Sequence, residues 1–160
     1  MFDDLRDLYQ EVILDHGKNP RNFGKPASFN RTARGDNPMC GDKITVYLTV
    51  GEDGIIQDAG FDGRGCAISQ ASASLMTEIL KGKPVKEAEA LFGSFHDMCT
   101  KDDEEWTDHG PVDPDAMDKL QVMSGVREFP MRVKCATLAW HTMNAAVHGE
   151  AVTSTENAAF

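Results

Sequence analysis

Three of the four cysteines stand in contexts suited to sulfur or metal chemistry. Cys40 lies in Asp36-Asn37-Pro38-Met39-Cys40-Gly41-Asp42, Cys66 in Gly63-Arg64-Gly65-Cys66-Ala67-Ile68-Ser69, and Cys135 in Arg132-Val133-Lys134-Cys135-Ala136-Thr137-Leu138. The thiolate, not the thiol, is the nucleophile and the metal ligand, and it is favoured by nearby cations and by helix N-termini. Two glycines and Arg64 precede Cys66 and a helical pattern follows it, which places this sulfur at a helix N-terminus. Cys135 falls in the first turns of a last helix, beside Lys134 and near Arg132, a setting that also favours the anion. Cys40 follows an Asn-Pro turn and precedes a glycine, so a loop able to move should carry it. Asp42 is two residues further on, and in an extended chain positions 40 and 42 point to the same side. Three sulfurs and one carboxylate oxygen suit tetrahedral zinc, with Zn–S about 2.3 Å and Zn–O about 2.0–2.2 Å. Iron–sulfur clusters also take mainly thiolates, so ligand type alone leaves both open.

Each cysteine also has an ordinary explanation, because free cysteine is among the most buried residue types and packs as a small hydrophobe. The 25 and 68 residues that separate the three match no short zinc motif. From the residues alone, a thiolate site and buried packing therefore both stand, and neither names an activity. Cys99 reads as a spectator. His16, His96, His109, His141 and His148 show no spacing that marks a site and are expected at the surface or in structural roles.

Sixteen basic against twenty-six acidic residues give a net charge of −10. Such a field repels phosphate backbones and anionic membrane surfaces, so no nucleic-acid or membrane partner is expected. Residues 1–20 carry Asp3, Asp4, Arg6, Asp7, Glu11 and Asp15 in place of an apolar leader core, and no apolar run approaches the roughly 20 residues of a membrane span. A cytoplasmic, reducing location is expected, where widely spaced cysteines serve metal or sulfur chemistry rather than a disulfide frame. Asp97, Asp102, Asp103, Glu104, Glu105 and Asp108 crowd one stretch with Lys101 as its only base, which reads as a solvated run, with partner docking as the alternative. Nothing in the pattern marks a coiled coil or a large apolar face, and a monomer is expected.

The elements that must position these residues follow from periodicity. Leu5, Leu8, Tyr9, Val12 and Ile13 recur at helical spacing up to Gly17 and Pro20. Residues 27–35 read as weakly extended. Ile44, Val46, Leu48 and Val50 alternate with polar or surface positions as in a half-buried strand, Glu52-Asp53-Gly54 turns the chain, and residues 55–61 return as the next strand. Ile68, Ala71, Leu75, Ile79 and Leu80 then mark a helix that Gly82 ends. Residues 84–92 predict a short helix, the acidic stretch to Pro111 an irregular excursion, 114–123 a helix, and about 131–148 the last one. Strands early and helices late predict an α+β fold, a small antiparallel sheet of about three strands with helices on one face. One domain over residues 1–150 and a frayed tail over 151–160 complete the expectation.

Taken in order, Gly35-Asp36-Asn37-Pro38-Met39-Cys40-Gly41-Asp42, Gly63-Arg64-Gly65-Cys66-Ala67-Ile68-Ser69 and Lys134-Cys135-Ala136-Thr137-Leu138-Ala139-Trp140, after a Leu8-Tyr9 helix that ends in Asp15-His16, resemble the U-type (NifU N-terminal/IscU-like) iron–sulfur cluster assembly family. Within it the chain looks like the SufU branch: Lys134 stands where IscU-type scaffolds usually carry a His, and an extra segment occupies about residues 93–125. Phe129-Pro130-Met131-Arg132-Val133-Lys134 does not reproduce the Leu-Pro-Pro-Val-Lys chaperone motif of the IscU branch. The resemblance implies a zinc-dependent sulfurtransferase that accepts persulfide sulfur from a PLP-dependent cysteine desulfurase of the SufS type and passes it to downstream assembly proteins. It implies Cys40, Asp42, Cys66 and Cys135 as zinc ligands, Cys40 as the sulfur acceptor with Cys135 second, and Lys134 or Arg64 as cations that steady a persulfide. His16 would help shape the docking surface. The alternative in the same family is a scaffold for a [2Fe–2S] cluster on these ligands.

Overall fold

The computed structural model describes residues 2–155. Helix α1 (Phe2–Lys18) leads into strands β1 (Arg31–Asn37), β2 (Asp42–Val50) and β3 (Ile56–Arg64). Helices α2 (Ala67–Leu80), α3 (Val85–Thr100), α4 (Pro114–Leu120) and α5 (Pro130–Val147) follow, and a short strand β4 (Val152–Ser154) closes the order. The sheet runs β3-β2-β1-β4. Strands β1, β2 and β3 are successive antiparallel neighbours, as the alternation in β2 requires, while β4 joins the edge parallel to β1. The fold is the α+β arrangement expected, with one strand more than the three predicted.

The extra strand corrects the expectation of a frayed tail. Its three residues have no apolar alternation to betray them, and only pairing on the open edge of β1 orders them: Arg34 N–H donates to Ala151 O at 2.9 Å and Thr155 N–H to Asp36 O at 2.9 Å. Residues 156–160 lie outside the described residues.

Ile44, Val46 and Leu48 of β2 are almost wholly buried under α5. Helix α2 is the central helix, and it is buried nearly all round rather than on the single side its aliphatic residues mark. Its Ser and Ala positions keep side-chain volume low, so α1, α5 and β3 can all approach, and the Ser72 hydroxyl, with no water to bond, donates to Ala136 O at 2.5 Å. His16 is buried at the foot of α1. Its Nδ1 hydrogen-bonds Ser74 Oγ at 2.7 Å, and burial, reinforced by Arg21, holds the ring below the usual histidine range. That latch between α1 and α2 is the structural role of His16.

Helix α3 runs to Thr100, past the predicted stop at residue 92, because Phe95, Met98 and Cys99 continue its buried face. Asp97 is consequently no part of a solvated run. It is 3% exposed and takes Lys101 Nζ at 3.1 Å, His109 Nε2 at 2.7 Å and Thr107 N–H at 3.1 Å. These partners hold its carboxyl down at about 2 against the opposing cost of burial. Asp102, Glu104, Glu105 and Asp108 are exposed, as a solvated loop should be. Burial pushes the Cys99 thiol up to about 12, so it is an inert packing residue. His96 and His141 stack edge to face at 5.4 Å against Phe92, and His148 pairs with Glu89 at 3.1 Å.

Where α5 crosses β1, position 35 admits no side chain: a β-carbon there would collide with Thr142 Oγ1 and press on Leu138. That hydroxyl is already committed to Leu138 O at 2.7 Å. Gly35→Ala should lower unfolding stability by about 1–3 kcal/mol through this overpacking. Adding Thr142→Ala should recover part of the loss, as measured by urea unfolding of the single and double variants.

Candidate metal centre

The β1–β2 hairpin closes on the pair Asn37 and Asp42, with residues 38–41 as its turn. Cys40 lies in that turn, its N–H bonded to Asn37 O at 3.2 Å, so Cys40 and Asp42 come together through the turn rather than along an extended strand. In the neighbouring ladder Lys43 pairs with Arg64, which brings Cys66, two residues past the end of β3, beside Asp42. Cys66 is the N-cap of α2, as its glycine-rich approach predicts. On the other side, α5 passes over β1: Leu138 and Thr142 cover Gly35, and one turn earlier Cys135 arrives over Asn37.

The sulfurs of Cys40 and Cys135 are 3.5 Å apart. Ligand atoms of Cys40, Asp42 and Cys135 all fall within 4.8 Å of one another, a group able to hold a metal ion. Two sulfurs on a tetrahedral zinc at about 2.3 Å are separated by about 3.8 Å, so the observed spacing fits such an ion. Cys66 stands beside this trio rather than in it, its sulfur near enough to Cys135 for each to influence the other's proton. Asp42 is 1% exposed. Its Oδ1 accepts the Cys66 N–H at 2.9 Å and its Oδ2 accepts Asn37 Nδ2 at 3.3 Å. Gly65 makes that approach possible, since a β-carbon there would be 2.5 Å from Asp42 Oδ1.

The three thiols are not equivalent. Cys66 is brought down to about 6 by its neighbour Cys135, against the cost of burial, with help from the N–H groups of Ser69 and Ile68 in the first turn of α2. Cys135 is driven the opposite way. It stands against Cys66, is buried, and donates its S–H to Cys40 Sγ, so in the metal-free protein it remains a thiol. This corrects the expectation that Lys134 and Arg132 would make it the anion: a buried thiol set among two other sulfurs holds its proton. Cys40 and Cys66 are half-buried, whereas Cys135 is buried.

The cation that the structure sets near the sulfurs is Arg132, whose proton is held more firmly by the neighbouring cysteines, Cys135 first among them. The resemblance implies Lys134 or Arg64 as the cations that steady a persulfide, with Arg132 noted only as a neighbour of Cys135. In sequence Asn37 reads as a turn residue preceding Pro38; its place opposite Asp42 in the hairpin is the signal that marks it.

Over residues 8–136 the chain matches the family described as NifU-like N terminal domain. It is 39% identical over 148 residues to the zinc-dependent sulfurtransferase SufU of Bacillus subtilis, covering 91% of this chain and 93% of that one. It is also 39% identical over 140 residues to the iron–sulfur cluster assembly scaffold protein IscU of Thermotoga maritima, covering 88% and 92%. A crystal structure from Fervidobacterium islandicum, described as a putative iron–sulfur cluster assembly scaffold protein for the SUF system, superposes with a TM-score of 0.74 at 32% identity, over 89% of this chain and 98% of that one.

The polarised thiols give a pH signature. A depressed pKa means that Cys66 stays deprotonated as the pH falls, until about 6. Metal-free protein should therefore show ultraviolet thiolate absorbance equivalent to one cysteine that is lost with a midpoint near 6, and Cys66→Ser should remove this transition.

Proposed function

The chain belongs to the NifU-like N-terminal domain family, and on that premise we propose that it is a zinc-dependent sulfur acceptor of iron–sulfur cluster biogenesis, working as a cytoplasmic monomer. Its sulfur comes from the persulfide of a SufS-type cysteine desulfurase and goes on to downstream assembly proteins. The observation that carries the reading is the gathering of Cys40, Asp42 and Cys135 within 4.8 Å, with the Cys66 sulfur alongside.

Cys40, Asp42, Cys66 and Cys135 are the residues that would hold the ion; the donor set is three sulfurs and a carboxylate, which zinc accepts. Bound zinc would act as a Lewis acid that keeps the thiols deprotonated at neutral pH. Cys40 is the acceptor. It is half-exposed and lies on a turn, while Cys135 is buried in the second turn of a helix and Cys66 caps another. Its thiolate attacks the terminal sulfur of the partner's persulfide, a new S–S bond forms on Cys40, and the electron pair of the broken S–S bond leaves on the partner's cysteine thiolate. The terminal sulfur keeps its proton throughout. Arg132 is placed to stabilise negative charge on the sulfurs before and after transfer.

Lys134, in place of the histidine usual in IscU-type chains, favours transfer over scaffolding. The scaffold reading rests on the equally similar IscU relative. It predicts visible absorption and labile sulfide after anaerobic reconstitution, with little dependence on zinc.

Met39, Phe129 and Met131 are 67%, 60% and 58% exposed, and they belong to the two segments that carry Cys40 and Cys135. Large apolar side chains left open next to the reactive sulfurs are suited to being covered by the desulfurase.

Zinc-loaded protein should raise the turnover of a SufS-type desulfurase, and Cys40→Ala should return it to that of the desulfurase alone while the variant keeps a folded circular dichroism spectrum. Undiminished stimulation by Cys40→Ala would contradict the assignment. Met39→Asp or Met131→Asp should leave zinc content unchanged and raise the half-saturating concentration roughly tenfold, the effect of losing about 1.4 kcal/mol of contact.

A further inference from the structure

Asn37 is fully buried, and its side-chain amide divides two environments. On one side Nδ2 reaches Asp42 Oδ2 at 3.3 Å and Cys135 Sγ at 3.7 Å. On the other, Oδ1 accepts from Thr155 Oγ1 at 3.1 Å. A carboxylate can only accept hydrogen bonds, so Asp42 demands the NH2 end of the amide, and the carbonyl oxygen must then find a donor elsewhere in the buried interior. Thr155 supplies it. Thr155 is 4% exposed and is fixed in place by the adjoining strand: its N–H bonds Asp36 O, and β4 pairs with Arg34, Gly35 and Asp36.

We propose that Thr155 is a positioning residue of the metal centre, acting through Asn37 to aim an amide NH2 at the Asp42 carboxylate and the Cys135 sulfur. The C-terminal strand thereby tunes how tightly the ion is held. Donors to ligating groups orient them and set their basicity, and removing such a partner commonly weakens metal binding about 10- to 100-fold. This inference rests on the zinc reading given above.

The test uses the full chain as wild type, Thr155→Val, Thr155→Ser and Asn37→Ala. Zinc affinity is read by competition with a chromophoric chelator, and ligand geometry by the visible spectrum of the cobalt-substituted protein. Thr155→Val should bind zinc about tenfold more weakly and shift the cobalt bands, Thr155→Ser should restore both, and Thr155→Val should add nothing further in the Asn37→Ala background. A purely structural hydroxyl would instead lower the melting temperature of the metal-free protein and leave affinity and spectrum unchanged. That result, or Thr155→Ser as weak as Thr155→Val, would overturn the proposal. Should Thr155→Val fail to fold, Thr155→Ala is judged by the same readouts. Wild-type protein that takes up no zinc would overturn the metal reading as well, whereas wild-type binding matched by Thr155→Val overturns this inference alone.

Discussion

A carboxylate almost wholly removed from water, that of Asp42, is the constraint on which the site depends. Burying such a charge is costly unless hydrogen bonds or counter-charges compensate it. Here the compensation comes from the Cys66 N–H and the Asn37 amide, one from the start of α2 and one from across the hairpin. Satisfying Asp42 therefore ties the β1–β2 turn to the N-terminus of α2. Because Asn37 also touches Cys135, the same requirement draws in α5. The glycine at 65 is needed at this junction for a steric reason, since any β-carbon would press into the Asp42 oxygen.

Once the elements are gathered in this way, the sulfurs differentiate by position. Cys66 faces backbone N–H groups and becomes the anion, Cys135 is enclosed and becomes the donor, and Cys40 remains on the turn with partial access to solvent. On the reading proposed above, a metal ion and an incoming sulfane sulfur would make opposite demands, the first for immobile ligands and the second for a nucleophile that can move. Dividing three thiols between two helices and one hairpin turn would suit both. The exposed Met39, Phe129 and Met131 extend this division outward, as an apolar border around otherwise buried chemistry.

Much of this was legible in sequence because it depends on local rules. Alternation in residues 44–50, the Glu52-Asp53-Gly54 turn, the glycines before Cys66 and the stop at Gly82 place the β2–β3 hairpin and the N-cap cysteine where the structure has them. The missed features depend on tertiary pairing. Strand β4 has no pattern of its own and exists only on the edge of β1. Helix α3 outruns its predicted end because Phe95, Met98 and Cys99 carry its buried face through the acidic stretch, where Asp97 is buried by its pairing with Lys101 and His109. The protonation of Cys135 is not legible from its charged neighbours along the chain, because burial and the sulfurs of Cys66 and Cys40 beside it decide the outcome. Arg132 and Asn37 lay inside motifs already noted, yet their orientation toward the sulfurs is fixed by helix phase and hairpin register, which no local spacing displays.

The most direct test of the account is X-ray absorption at the zinc edge of the purified, metal-loaded protein, with bound zinc quantified on the same sample. The account predicts one zinc per chain with a first coordination shell of three sulfurs at about 2.3 Å and one oxygen at about 2.0–2.2 Å. A shell with two or fewer sulfurs, or one dominated by nitrogen, would contradict the convergence of Cys40, Asp42, Cys66 and Cys135 on a single ion.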